Sequence, residues 1–238
     1  MAIQRKNRVG RFWWPQRVNK PRKNHAPVSV VVGIDDFAQK TISFYLRADG
    51  TGSLYDVILG KGTAAWALAW NTFTTPDAID FYQAWSGAND AQWQTLGGEY
   101  VAGQIKHVAV VWDNSLDTNT PTIYIAGVAV TVTLTGTTLA PADSDAANSL
   151  VMGQDAGGGS DLDGAVQHFA YANALWTAEQ VNRARWWGRP GGALAVYHPF
   201  VTDKLANEGT ATANGTATGT TVASLVTPVQ RPGMGTAL

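Results

Sequence analysis

Three aspartates stand close together in one glycine-rich stretch, DAGGGSDLDG, at residues 155–164. Asp155, Asp161 and Asp163 could offer carboxylate oxygens to Ca²⁺, a hard cation that takes about six to eight oxygen ligands. A single loop seldom supplies that many ligands, and aspartates in such turns often bond to their own backbone. The stretch therefore indicates either a calcium site or a tight turn, and the turn is the simpler interpretation.

Two tryptophans flank the segment SGANDAQ, which we interpret as a loop at residues 86–92. Trp85 and Trp93 could stack on a sugar ring there, because binding sites for small ligands use aromatic side chains as apolar surfaces. The alternative is that both rings pack into the protein. Four other tryptophans lie inside periodic apolar runs and are predicted to be core residues: Trp66, Trp70, Trp112 and Trp176.

The remaining candidates for catalysis are few. Glycosidases need two carboxylates that face each other across the scissile bond, but the chain has three glutamates, far apart at Glu99, Glu179 and Glu208. An aspartate pair stays open as an alternative. The four histidines have no metal-ligand spacing, cysteine is absent, and no serine lies in a G-x-S-x-G motif. We therefore predict a non-enzymatic protein without a cofactor, with Ca²⁺ as the one exception considered.

The N-terminal 25 residues carry a strong positive charge. They contain eight of the 17 lysines and arginines and no carboxylate, so nine cations face all 18 acids in the rest of the chain. A docking arm would place its cations on an acidic protein surface and its aromatic rings in apolar pockets. The predicted docking residues are Arg5, Lys6, Arg8, Arg11, Phe12, Trp13, Trp14, Arg17, Lys20, Arg22 and Lys23.

Two alternatives for this arm remain. Its cations could neutralise nucleic-acid phosphates while its rings stack on bases, although the acidic body would repel a duplex lying close to it. It could also be a plain solubilising tail. A membrane-surface helix is disfavoured because Pro15 and Pro21 interrupt it. No apolar run approaches the roughly 20 residues that cross a bilayer, so no membrane partner is predicted.

The elements that must position these residues are short strands. Apolar or alternating runs separated by turn residues are typical of antiparallel sandwiches, and they occur at residues 28–33, 41–49, 54–62, 64–70, 78–85, 107–113, 122–134, 149–153 and 164–175. In the second run Ile42, Phe44 and Leu46 share one face, which is predicted to be core. One helix is predicted at 178–187, with a capping box formed by Thr177 and Gln180. Its Val181 and the pair Trp186 and Trp187 are expected to plug one end of the sandwich.

Composition divides the chain into three parts. Residues 1–25 form the basic aromatic arm, residues 26–206 the sandwich, and residues 207–238 a Gly/Thr/Ala-rich extended tail. The tail has little apolar area to offset the entropy lost on ordering. We expect it to be flexible or to become an ordered strand against another surface.

Several of these runs resemble a known family. HVAVVWDNSLDTNTPTIYIAGVAV at 107–130 and LVMGQDAGGGSDLDGAVQHFAYANALWTAEQV at 150–181 are similar to the second half of laminin-G-like domains, and TISFYLRADGTGSLYDVILGKG at 41–62 resembles an earlier hairpin. Ala126-Gly127 stands where the family has an Asn-Gly turn. The resemblance implies an all-β fold, a concanavalin A-like (laminin-G-like) antiparallel jelly-roll sandwich with one short helix. It also implies that calcium could bind at a rim.

Residues 191–221 resemble the strand that opens the domain in this family, although here they follow the other strands. Residues 193–200 could close their own sheet, as in a permuted domain, or complete the sheet of a neighbouring subunit. The first is favoured because an intramolecular strand meets a higher effective concentration.

The basic N-terminus leading into such a domain also resembles structural proteins of tailed bacteriophages. This resemblance implies a capsid decoration or cement protein of the virion, assembled in the host bacterial cytoplasm, with the major capsid protein or another virion protein as partner and with homo-oligomers. Nucleic acid is a weaker candidate partner. The alternative function is a carbohydrate-binding module on the virion surface or tail that holds host glycans.

Overall fold

The computed structural model describes residues 28–30, 35–49, 55–61, 65–71, 75–85, 89–146, 148–153, 160, 162–187, 194, 196–198 and 215–217 of the chain. The arm at 1–25 and most of the tail lie outside these ranges. Within them, no helix is long and apolar enough to span a bilayer.

Two antiparallel sheets make up the described part of the chain. The strands are β1 (Val28–Val30), β2 (Gln39–Ala48), β3 (Tyr55–Lys61), β4 (Trp66–Asn71), β5 (Ala78–Trp85), β6 (Asn89–Thr95), β7 (Ile105–Asp113), β8 (Thr122–Ile125), β9 (Val128–Val130), β10 (Val132–Gly136), β11 (Leu150–Met152), β12 (Gly164–Ala172), β13 (Val196–His198) and β14 (Gly215–Ala217). The eight-stranded sheet has the order β10-β6-β5-β4-β3-β11-β1-β14, and the six-stranded sheet has the order β13-β12-β2-β7-β8-β9. The predicted all-β sandwich of two antiparallel sheets with one short helix is thereby confirmed.

The main core lies between the two sheets. Ile42, Phe44 and Leu46 project into it from β2, as their alternation predicts, and Trp66 and Trp70 project into it from β4. Successive side chains of a strand point to opposite faces, so the intervening residues of β2 and β4 lie on the outer faces of the sandwich. The core tryptophans Trp66, Trp70, Trp112 and Trp176 are all buried, as predicted.

A tight turn joins β8 to β9. Ala126 and Gly127 both have positive φ, at 53° and 82°. Two consecutive positive φ values are typical of the type I′ turn, whose twist matches that of the flanking strands. The dipeptide therefore does occupy the position of the family's Asn-Gly turn.

The helix α1 (Ala178–Trp187) has the predicted bounds and the predicted capping box. The Thr177 backbone N–H donates to Gln180 Oε1 at 2.8 Å, and the Gln180 N–H donates to Thr177 Oγ1 at 3.3 Å. Its predicted position was wrong. The helix packs with Val181 and Ala184 on the outer face of the six-stranded sheet, and Trp186 is 56% exposed, because the apolar side chains of that outer face give α1 a surface to cover.

Two strands come from beyond the helix. Strand β13 pairs with β12, with Phe169 opposite His198, and the self-closing arrangement of residues 193–200 stays a prediction. Strand β14 pairs with β1, with Ser29 opposite Thr216. This piece of the predicted tail therefore forms an edge of the eight-stranded sheet.

The largest difference from the sequence prediction is β6. Residues 89–92, interpreted above as part of a loop, belong to a strand that pairs with both β5 and β10. Asn, Asp and Gln are depleted in strands on average. Asp90, Gln92 and Gln94 are accommodated in β6 because they lie on its outer face, where Asp90 is exposed and the two amides are half-buried, and that face carries the candidate site.

Candidate functional site

The outer faces of the two sheets differ in their cover. Helix α1 lies on the six-stranded sheet, where its Val181 and Ala184 pack with Ala109 of β7 and Ala170 of β12. The central strands of the eight-stranded sheet carry polar side chains on their outer face instead. We call the following set the polar face: Asn71, Asp80, Tyr82, Asp90, Gln92 and Gln94.

Strand register brings the polar face together. Asp80 of β5 lies opposite Ala69 of β4 and Gln94 of β6. One rung further along, Tyr82 lies opposite Ala67 and Gln92. Directly opposite residues have Cβ atoms about 4.5–5.5 Å apart, so the two rungs place carboxyl, phenol and amide groups side by side. The sequence indicated none of these residues as a site.

Small residues border these rungs. Ala67 and Ala69 are half-buried, and Gly60 of β3 lies opposite Ala67. A Cβ on Gly60 would come within 2.9 Å of the carbonyl oxygen of Trp66. The positions of β3 and β4 beside Asp80 and Tyr82 therefore carry small residues.

Asp80 is the centre of the hydrogen bonding on this face. Its Oδ2 accepts from Asn71 Nδ2 at 2.9 Å and from Gln92 Nε2 at 2.7 Å. Its side chain is nearly inaccessible, with the residue 3% exposed. Burial raises the pKa of Asp80, while hydrogen bonds from the side chains of Gln94, Asn71 and Gln92 lower it in part. Asp80 therefore orients the neighbouring amides, and the accessible groups of the polar face are the ones that a ligand can reach.

The rest of the polar face is more accessible. Tyr82 is half-buried and its hydroxyl donates to Asp90 Oδ1 at 2.6 Å, while Asp90 is exposed. Burial, then the hydrogen bond to Asp90 and the charges of Asp90 and Asp143, raise the pKa of Tyr82. Gln94 Oε1 accepts from Thr75 Oγ1 at 2.6 Å. The hydroxyl of Tyr82 therefore stays protonated as a donor, and the amides are oriented by their own partners.

This arrangement fits the recognition of hydroxyl groups. Amide side chains both donate and accept, carboxylates accept, and a phenol does both. A few polar groups with fixed orientation are what gives small-molecule sites their specificity. The chemistry supported by the polar face is therefore a set of hydrogen bonds to a polyhydroxylated molecule.

The two tryptophans predicted to stack on sugar belong to the core instead. Trp85 and Trp93 are fully buried and form an aromatic cluster with Phe81 and Trp112. The stacking interpretation is corrected for a simple reason: β6 is a strand, so Trp93 points inward while its neighbours Gln92 and Gln94 point outward. The period-two alternation of NDAQWQT could have indicated both faces.

The calcium prediction is not tested. Asp155 and Asp161 lie outside the described residues. Asp163 is half-buried, and its backbone oxygen accepts from the Asp49 N–H at 2.6 Å. In the part of the chain that the structure describes, no group of three histidines, aspartates or glutamates is arranged to hold a metal ion. The eleven docking residues of the arm also lie outside the described ranges, so the capsid role remains a prediction.

A serine–histidine pair lies on the six-stranded sheet. Ser43 Oγ and His107 Nε2 are 2.8 Å apart, and both residues are buried. Burial, followed by the positive charges of Arg185 and His168, lowers the pKa of His107 to about 3. Its imidazole is therefore uncharged at neutral pH, and the pair is an interior contact with no access for a substrate.

A second polar group lies inside the sandwich. Lys61 Nζ is 2.5 Å from Asp35 Oδ1 and 3.0 Å from Asp145 Oδ1. Asp145 Oδ2 accepts from Trp66 Nε1 at 2.9 Å, and Asp145 Oδ1 accepts from the Asp36 N–H at 2.7 Å. We call the buried residues Lys61, Trp66 and Asp145, with the more accessible Asp35 and Asp36 that bond to them, the buried charge cluster. It joins distant segments of the fold and is structural.

Lys40 lies close to this cluster. It is buried, and its Nζ lies 5.8 Å from the ring centroid of Trp66 and 5.4 Å from that of Trp112. Burial lowers the pKa of Lys40 from 10.5 to about 8, although the charge of Asp145 raises it. Keeping the buried Lys40 charged therefore lowers the free energy of unfolding. This loss disappears when the lysine releases its proton.

We expect stability to rise with pH because of Lys40. Between about pH 8 and 10.5 the unfolded chain binds the Lys40 proton and the folded chain has released it, so the free energy of unfolding increases with pH. The gain is about 2 kcal/mol between pH 8 and 9.5. Urea denaturation measures this gain in the free energy of unfolding. The wild type and Lys40→Met are compared at about pH 7.5, 8.5 and 9.5.

Comparing Lys40→Met with the wild type shows whether Lys40 causes the rise in stability. Lys40→Met has no such proton to lose, so its stability should change little across the window. The window ends below about pH 10 because Tyr82, Tyr100 and Tyr171 have raised pKa values and would reduce stability above it. An equal rise in both proteins would show that another group is responsible.

Comparison with known proteins agrees with the fold. A protein from Bacteroides ovatus proposed to bind carbohydrate superimposes with a TM-score of 0.57 at 15% sequence identity; the match covers 83% of this chain and 59% of that one. The chain thus spans 59% of the length of that protein. The module CBM40 of the Ruminococcus gnavus sialidase, solved with α2,3-sialyllactose, gives a TM-score of 0.48 at 10% identity, covering 67% of this chain and 95% of that one.

A heptameric SAP-like pentraxin from Limulus polyphemus gives a TM-score of 0.42 at 13% identity, covering 70% of this chain and 78% of that one. No curated protein matches the chain. Residues 23–182, about two thirds of the sequence, match the family model described as the concanavalin A-like lectin/glucanases superfamily. With that match and the two-sheet sandwich described above, the chain belongs to the concanavalin A-like lectin/glucanases superfamily.

Proposed function

We propose that this domain binds carbohydrate through the polar face and does not hydrolyse it. The observation that carries the proposal is the row of accessible polar side chains on β5 and β6, each oriented by its own hydrogen bond: Tyr82, Asp90, Gln92 and Gln94. Sugar hydroxyls both donate and accept hydrogen bonds, as these groups do. The resemblance of the fold to a proposed carbohydrate-binding protein supports the same class of ligand.

Binding is favoured over hydrolysis because of what the carboxylates already do. Hydrolysis needs one carboxyl to give up a proton while a second attacks or activates water. Here Asp80 accepts two amide hydrogen bonds and Asp90 accepts one from the Tyr82 hydroxyl. Each carboxylate is thus engaged as an acceptor, which suits recognition.

The test compares a double amide deletion on the polar face with a single amide deletion on the other sheet. Gln92→Ala with Gln94→Ala removes two accessible amides from the polar face, and we expect the Kd for a bound glycan to rise about tenfold or more, since each lost hydrogen bond is worth about 1 kcal/mol. Gln39→Ala is the matched control, because Gln39 is an exposed amide on the other sheet that bonds to Asp113. A glycan array identifies the ligand and calorimetry measures the Kd.

Two results would overturn the proposal. The first is a wild-type protein that binds nothing on the array. The second is a double variant that binds as tightly as Gln39→Ala. Repeating the titration with Ca²⁺ and with a chelator also tests the proposed calcium ligands Asp155, Asp161 and Asp163, since their contribution would disappear with the chelator.

The capsid decoration role uses a different part of the chain. It rests on the charge and aromatic content of residues 1–25, whereas carbohydrate binding rests on β4, β5 and β6. The two roles are compatible, and the polar face supports the carbohydrate-binding one.

A further inference from the structure

The charge of the polar face has one sign. Its two carboxyl groups are Asp80 and Asp90, and Asp143 is near enough for its charge to act on Tyr82. Strands β4, β5, β6 and β10 contain no lysine, arginine or histidine. A ligand lying across these strands therefore meets carboxylates and neutral amides.

The cations of the described residues lie elsewhere. Lys40 and Lys61 are buried inside the sandwich. Arg47 belongs to β2 of the other sheet and is paired with Asp49. Lys106 of β7 donates to the backbone oxygen of Glu99. Arg183 and Arg185 belong to α1. None of these six is on a strand of the polar face, so none is placed to neutralise an acidic ligand there.

Asp90 adds a second requirement. Its side chain is exposed and accepts from the Tyr82 hydroxyl. Hydroxyl and ammonium groups of a ligand can donate to its remaining lone pairs, whereas a carboxylate or sulfate cannot. A negative ligand group would add the repulsion between like charges close together, which is strongest where water is excluded.

We infer that the polar face selects glycans without acidic groups and prefers those that carry free amino groups, such as oligomers of glucosamine. This inference rests on the proposed function and specifies its ligand class. An ammonium group donates to Asp90 and is attracted by its charge. N-acetylated or other neutral sugars bind through their hydroxyls alone. Oligomers of a uronic acid are excluded.

The experiment compares three oligosaccharides of equal length by calorimetry: glucosamine, N-acetylglucosamine and galacturonic acid oligomers. At mildly acidic pH the primary amine is protonated. We expect the glucosamine oligomer to bind about fivefold more tightly than its N-acetylated form, as an exposed ion pair allows, and the uronate to show no binding. The preference should shrink with added salt, because salt screens exposed charges.

A carboxylate-to-amide variant isolates the charge. Asp90→Asn keeps an acceptor for the Tyr82 hydroxyl and removes one charge, so the preference for the amine should fall about two- to fivefold. Asp113→Asn is the matched control on the other sheet, where Asp113 bonds to Gln39 and Ser115, and it should leave the preference unchanged.

The outcomes separate the inference from the proposed function. Equal binding of all three oligomers, or tighter binding of the uronate, would overturn the charge selection while leaving carbohydrate binding intact. An unchanged preference in Asp90→Asn would also overturn it. Absence of binding to all three and to every glycan of the array would overturn both.

Discussion

Replacing Asp145 with alanine is expected to lower the free energy of unfolding by about 3–5 kcal/mol, a large part of the stability of a typical domain. Asp145 is buried, and its carboxylate accepts from Lys61, from the Trp66 indole and from the Asp36 backbone. Alanine leaves the Lys61 ammonium with Asp35 and leaves the Trp66 N–H buried without an acceptor. Urea denaturation followed by tryptophan fluorescence measures the loss.

A control for Asp145 lies two residues away. Asp143 is exposed, and its backbone N–H donates to the Ala84 oxygen at 3.1 Å. Asp143→Ala should therefore change the stability by no more than about 0.5 kcal/mol. If the two variants were equally stable, the buried charge cluster would not be holding the 140–145 segment to β3 and β4.

Replacing Trp112 with alanine is the second large effect. Its indole is at the centre of an aromatic group, with ring centroids 4.9 Å from Phe81, 5.3 Å from Trp93 and 5.9 Å from Trp85. Deleting a buried tryptophan removes its burial energy and leaves a cavity, at a cost of about 3–5 kcal/mol. Denaturant midpoints for the wild type and the variant measure the difference.

Trp186 is the matched control. It is 56% exposed on α1, with the Arg185 guanidinium 4.7 Å from its ring centroid. Trp186→Ala should cost about 0.5–1 kcal/mol, the size of an exposed cation–π contact. A cost for Trp112→Ala as small as that of Trp186→Ala would mean that the core relaxes around the deletion.

These two variants test the interior, and the Gln92 and Gln94 variants test the polar face. The separation is possible because neighbouring residues of β6 serve different purposes. Trp93 packs with Phe81 inside the sandwich, while Gln92 on the opposite face bonds to Asp80. Amide deletions on the outer face should therefore alter binding without the stability loss expected in the core.

The sequence determined those elements whose pattern is local. Strand β2 follows from the alternation of Ile42, Phe44 and Leu46, and helix α1 from the capping pair Thr177 and Gln180. These features depend on residues a few positions apart, because strand periodicity and capping geometry are properties of a short segment. The resemblance to laminin-G-like domains extended them to the complete two-sheet fold.

The polar face could not be predicted from a local sequence pattern. Strand β6 is polar on one side, so its composition resembles that of a loop, and its assignment as a strand depends on pairing with β5 and β10. Once β6 is a strand, Trp85 and Trp93 must be core and Gln92 and Gln94 must be outside. Because residues 89–92 form a strand and not a loop, the candidate site contains the amides of β6. The two tryptophans predicted for it are in the core.

The contacts between residues far apart in sequence depend on the complete fold. Asp80 receives Asn71 from β4 and Gln92 from β6, and Lys61 meets Asp145 across 84 positions of sequence. Local patterns state which way a side chain faces within its own strand. The order and register of strands in the sheet determine its neighbours, and these follow from packing the whole chain into two layers.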